Sequence, residues 1–130
     1  MSKPVLEIVG NVMKALGIPY GYRRFVADPD KPMQYPYFVG EYTESEPMTE
    51  DGLQESVFLL TGFSRSSFED LEDAKERIRE QFHPVTGRVG ITKEWSSVAI
   101  FYAGAQPVET GDSELYRIQI NLNIKEWMVN

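Results

Sequence analysis

A chain of 130 residues and 14.9 kDa has room for one domain and no second core. With 42% hydrophobic and 25% charged residues it lies far from the composition of a disordered chain. Thirteen basic against twenty acidic residues leave a formal net charge of -7, which disfavours sequence-independent binding of phosphate backbones, and the absence of cysteine removes disulfide scaffolds, thiolate zinc sites and cysteine nucleophiles.

The first periodic segment runs from Pro4 to Leu16. Val5, Ile8, Val9, Val12 and Leu16 recur at helical spacing, with Glu7, Asn11 and Lys14 on the other side. Pro4 suits a first helical turn, Gly17 a left-handed cap, and Pro19 blocks continuation. Glu7 inside this apolar stretch argues against a secretory signal, and no segment is long and apolar enough for a membrane helix, so the expectation is a soluble cytoplasmic protein.

Tyr20 to Val26 reads as a short aromatic strand. Pro29, Pro32 and Pro36 then exclude regular structure between Ala27 and Pro36. Tyr37 to Thr43 alternates as a strand partly covered on both faces. Glu44 to Asp51, carrying Glu44, Glu46, Glu50 and Asp51 with Pro47, reads as an acidic hairpin loop too long for a tight turn. Ser56 to Phe63, with Val57-Phe58-Leu59-Leu60 at its centre, reads as a central strand.

The second helix is the best marked. Ser66 and Ser67 offer N-caps, with Glu69 and Asp70 three residues after each in two registers of a capping box. Phe68, Leu71, Ile78 and Phe82 form its apolar stripe, acids precede bases in accord with the helix dipole, Asp73 and Arg77 form an i,i+4 pair, and His83-Pro84 ends it. Arg88 to Lys93 is a weak strand signal and Val98 to Ala103 a clearer one. Gly104 to Ser113 reads as a polar loop. Tyr116 to Lys125 alternates without a break, apolar inward and polar outward. The expected fold is α+β: a single domain, order α-β-β-β-α-β-β-β, with a largely antiparallel mixed sheet and two helices packed on one face.

The chemistry-bearing residues are sparse. His83 is the only histidine, and a cap or surface position at a helix C-terminus accounts for it better than general-base catalysis, since no nucleophile or acid partners it in the sequence. Asp28 and Asp30, split by Pro29 and followed by Lys31, fit a solvated turn rather than a cation loop. Glu44, Glu46, Glu50 and Asp51 could gather a divalent cation weakly, but they equally keep a loop extended and soluble. The glycines of Thr86-Gly87-Arg88-Val89-Gly90 lack the lysine and helix of a phosphate loop. Trp95 and Trp127 are core or interface anchors. No catalytic, metal or cofactor-binding residue is assigned, and no enzyme is expected.

The order of elements carries a resemblance. A helix ending in Leu16-Gly17-Ile18-Pro19-Tyr20 precedes a proline-bearing loop into Tyr35-Pro36-Tyr37-Phe38-Val39. Leu59-Leu60-Thr61-Gly62-Phe63 runs into a Phe68-Glu69-Asp70-Leu71-Glu72 helix, and an alternating strand closes the chain. Over roughly residues 4 to 127 this resembles the tail-terminator and tail-completion proteins of long-tailed bacteriophages and prophages, with head–tail connectors, minor capsid proteins and a non-phage partner- or ligand-binding module as the alternative readings. The resemblance implies a subunit that closes into a hexameric ring. That ring caps the head-proximal end of the tail tube, stops its polymerisation and joins it to the head connector. It implies the chain itself, the tail tube protein and the connector protein as partners, DNA passing through the lumen without specific recognition, and a place in the host cytoplasm during assembly and then in the virion tail or neck. Glu44, Glu46, Glu50 and Asp51 are the candidate assembly or lumen loop, and Asp28, Asp30, Lys31, Met33 and Tyr35 the candidate interface loop.

Overall fold

The computed structural model describes residues 3–26, 29–44, 53–91 and 97–127. The first helix, α1, spans Lys3–Ala15 and buries Val5, Val9, Val12 and Met13. It ends as the Leu-Gly pair dictates. Gly17 sits at φ 72°, its N–H donates to the Lys14 carbonyl at 3.0 Å, and Ile18 donates to Met13 at 3.1 Å. These two bonds satisfy carbonyls that a helix end leaves free, and only glycine takes the left-handed angle without strain.

A short strand β1, Tyr20–Tyr22, follows and pairs parallel with β2, Tyr37–Glu44. The expected strand to Val26 stops at Tyr22. Arg23 adopts φ 66° and donates its N–H to the Gly40 carbonyl at 2.7 Å, so the backbone turns off the sheet at that point. The Tyr35–Pro36 peptide bond before β2 is cis. Strand β3, Leu53–Ser64, returns antiparallel to β2, with Tyr37 opposite Phe63 and Glu44 opposite Ser56. Glu44 therefore closes a strand instead of opening a loop, and β3 begins before the expected Ser56.

Helix α2 spans Phe68–Gln81. Ser67 is the N-cap, its hydroxyl accepting from the Asp70 N–H at 3.2 Å, while the Ser66 hydroxyl donates to the Asp70 carboxylate at 2.8 Å. Lys75 pairs with Glu72 at 2.5 Å. The expected Asp73–Arg77 pair is not made: the Arg77 guanidinium instead donates to the Leu16 carbonyl at the end of α1, tying the two helices together. Strand β4, Arg88–Ile91, is a short edge strand against β5, Ser97–Val108, and β6, Tyr116–Trp127, lies between β5 and β3. Thr92 and Lys93, the end of the expected strand, lie outside the described residues.

The loop expected from Gly104 is a second correction. Strand β5 continues to Val108 through a bulge at Ala103, which leaves that residue unpaired between Tyr102, opposite Leu122, and Gly104, opposite Asn121. Pro107 is tolerated because nothing in β4 pairs with this half of β5, so a missing N–H on the outer side breaks no ladder bond.

The protein is α+β, with a six-stranded mixed sheet in the order β1-β2-β3-β6-β5-β4 and two helices. One sheet face carries Phe38, Phe58, Leu60, Ile118, Ile120, Leu122, Ile124 and Ile100, all nearly or fully inaccessible. They form a single apolar cluster with Val5, Val9 and Met13 of α1 and Leu71, Ala74 and Ile78 of α2. Gly62 is needed where Phe38 crosses it, since a Cβ there would lie 2.5 Å from the ring. Among the described residues, no helix is long and apolar enough to cross a membrane.

Candidate assembly surfaces

Period two dictates that the side chains between the buried ones point away from the helices. The opposite sheet face carries Tyr37, Val39, Glu41 and Thr43 on β2, and Glu55, Val57, Leu59, Thr61 and Phe63 on β3. On β6 it carries Arg117, Gln119, Asn121, Asn123, Lys125 and Trp127. None of these is buried, and Val57 and Trp127 are 38% and 39% exposed. The polar run of β6 read from the sequence is thus one column of a broad uncovered face.

One end of that face is aromatic and basic. Phe25 stacks on Tyr37 with centroids 4.9 Å apart, Tyr37 on Phe63 at 5.1 Å, and the Arg117 guanidinium lies over Phe63 at 5.5 Å. Arg117 Nε is buried without a hydrogen-bond partner among the described residues. Beside it Arg65 reaches Asp112 at 3.2 Å. Hydrogen bonds that the Arg65 guanidinium donates to Asp112 and Tyr35 hold it more firmly charged, and the Glu114 N–H followed by Arg65 holds the Asp112 carboxyl below the usual carboxylate range. At the far end the Lys125 ammonium lies over the Phe101 ring at 5.8 Å, leaning toward β5.

The sheet edges are poor templates for another strand. Strand β1 has three residues and β4 four, and the uncovered half of β5 carries Pro107 and the bulge. Each feature blunts edge-to-edge pairing.

Asp28 lies outside the described residues. Asp30 and Lys31 are exposed, Met33 is 43% exposed, and Tyr35 is half-buried with its ring 5.7 Å from that of Tyr37. Lys31 joins Lys14, Tyr20 and Phe25 around a surface depression of about 440 Å³ at the end of α1. Burial, with a contribution from Tyr22, pushes the Tyr20 hydroxyl well above its ordinary range, so it stays protonated at any physiological pH. Of the candidate lumen residues, Glu44 ends β2, while Glu46, Glu50 and Asp51 lie outside the described residues, as does Trp95. Among the described residues of the two candidate sites, Tyr35 precedes β2 and Glu44 closes it, at opposite ends of the strand.

His83 is exposed, and its Nδ1 accepts N–H bonds from Val85 at 3.1 Å and Thr86 at 3.2 Å. The ring caps the turn that follows α2. A buried carboxylate, Glu126, lies on the covered face, where the Tyr42 hydroxyl donates to it at 3.3 Å and stands 2.9 Å from the Ser56 hydroxyl. Continuing the alternation of β6 by one step already places Glu126 inward. The Tyr42 hydroxyl gives this buried acid a partner, as polar core groups require. Among the described residues no three His, Cys, Asp or Glu side chains gather as a metal site. The sequence matches no protein-family model and no curated protein.

Proposed function

We propose that the protein is a structural subunit of a bacteriophage or prophage tail, a tail terminator that closes into a ring on the head-proximal end of the tail tube. The observation that carries this reading is the sheet covered by both helices on one side and left open on the other. It is joined to the resemblance in element order and turn residues described above. A ring subunit meets its neighbours through two different surfaces, and a one-sided sheet with loops at both strand ends offers them.

The blunted edges shift the expected contacts from strand addition to the sheet face and the loops. Attachment of the 27–36 and 44–51 segments at opposite ends of β2 suits a subunit that addresses a different partner at each end, the connector at one and the tube at the other. Acid on a lumen wall would keep passing DNA from sticking. Such a subunit performs no catalysis and holds no cofactor.

Sedimentation velocity over a wide concentration range, alone and with tail tubes, tests the reading. A species near six times 14.9 kDa, or co-sedimentation with tubes, supports it. A chain that remains monomeric and ignores tubes removes it.

A further inference from the structure

The open face divides by charge along the seam between β3 and β6. Its acids, Glu41 and Glu55, lie on β2 and β3; its bases, Arg117 and Lys125, lie on β6, and the β5 residues facing the same way carry no charge. Glu55 is opposite Lys125 in the ladder, yet Lys125 leans away from it over Phe101. Near the middle of the seam lie the neutral Leu59, Thr61, Gln119 and Asn121.

We infer that this face binds a second copy of the same chain, sheet on sheet, about a two-fold axis running along the β3–β6 seam. Rotation about that axis lays β3 of one copy over β6 of the other and keeps every rung at its own level. Glu55 then faces Lys125 of the second copy, Phe63 faces Arg117 of the second copy, and each contact is made twice. A two-fold running across the strands would put β6 on β6 with Arg117 over Lys125, and β2 on β2 with Glu41 over Glu41, so charge selects the first arrangement.

The size is adequate. Strands of 12 residues in β3, β6 and β5, with 8 in β2, form the face. At ~3.4 Å per residue and ~4.8 Å between strands they cover roughly 700 Å², a little under the share each partner contributes to a standard interface. The mixture of Val57, Leu59, Phe63 and Trp127 with amides and charges is ordinary for such a surface. This association competes for the face that the ring reading also uses, so the two are told apart by which assembly the charge reversals disturb.

Charge reversal tests it. Glu55→Lys and Lys125→Glu, each folded by circular dichroism, should weaken dimerisation at least tenfold by sedimentation equilibrium. An equimolar mixture of the two variants should dimerise again, because in the mixed pair position 55 of each copy faces the opposite charge at position 125 of the other. That rescue is not produced by a loss of folding, and Glu55→Gln with Lys125→Gln replace the reversals if either unfolds. Asn121→Cys, the sole thiol in a chain without cysteine, should give a cross-linked dimer with a short bis-maleimide. A monomer at every concentration overturns the inference. So does self-association that ignores both reversals, and a hexamer that ignores them leaves the ring reading intact while removing this one.

Discussion

The two faces of the sheet are built from the same strands and behave as different materials. Phe58, Leu60, Ile120 and Leu122 lie under the helices with no accessible surface, whereas Leu59, Thr61, Gln119 and Asn121, their immediate neighbours in sequence, remain partly open. A one-residue shift along a strand decides which regime a side chain joins. The covered face supplies the stability of the fold. The open face buries less apolar surface and adds less to that stability, which leaves its side chains accessible to contacts between molecules.

Truncation on the two faces should separate them most sharply. Phe58→Ala is expected to cost about 3–5 kcal/mol by urea denaturation, as for other buried aromatics, against about 1 kcal/mol or less for Leu59→Ala. Equal losses at the two positions would erase the distinction. Next in size is Gly62→Ala, where the added methyl meets the buried Phe38 ring and overpacking should cost about 1–3 kcal/mol. Ser67→Ala removes the α2 cap and should cost about 1 kcal/mol, with Ser67→Asp restoring most of it.

The smallest effect lies at the rim of the open face. Because the Asp112 carboxyl is held below its ordinary range, its contribution is present above the unfolded carboxylate pKa and lost as pH falls through the lowered folded value. Asp112→Asn should therefore be slightly less stable than the parent at neutral pH, and the gap should close on acidification. Added salt should narrow it too, since the Arg65–Asp112 pair is exposed.

Local chemistry made part of this legible in the sequence. The α2 cap is written in Ser67 and Asp70, the α1 stop in Gly17, and the two faces of β6 in its unbroken alternation. What escaped were features set by distant neighbours. Gly104 and Pro107 resemble loop residues until the absence of a β4 partner beside them makes a strand possible. Tyr20 to Val26 has strand composition, but the turn at Arg23 sends it off the sheet. The charge division of the open face arises only when β3 and β6 become neighbours, and no local pattern announces that pairing. Of the assembly residues, the alternation exposes Arg117 and Lys125, while their opposites Phe63 and Glu55 come from the register alone.

That pairing also governs how the chain folds. The β2–β3 and β5–β6 hairpins join strands close in sequence, but the seam sets Leu53 against Trp127 and Ser64 against Tyr116, closing a loop that contains α2, β4 and β5. Contacts of such long range form only after their closure entropy is met, which slows folding relative to a chain held by local contacts. Each hairpin meanwhile shows its own half of the seam as an unpaired edge. The interval before the seam closes is the one in which two nascent chains could exchange halves, and in which dilution or a chaperone would matter most to yield.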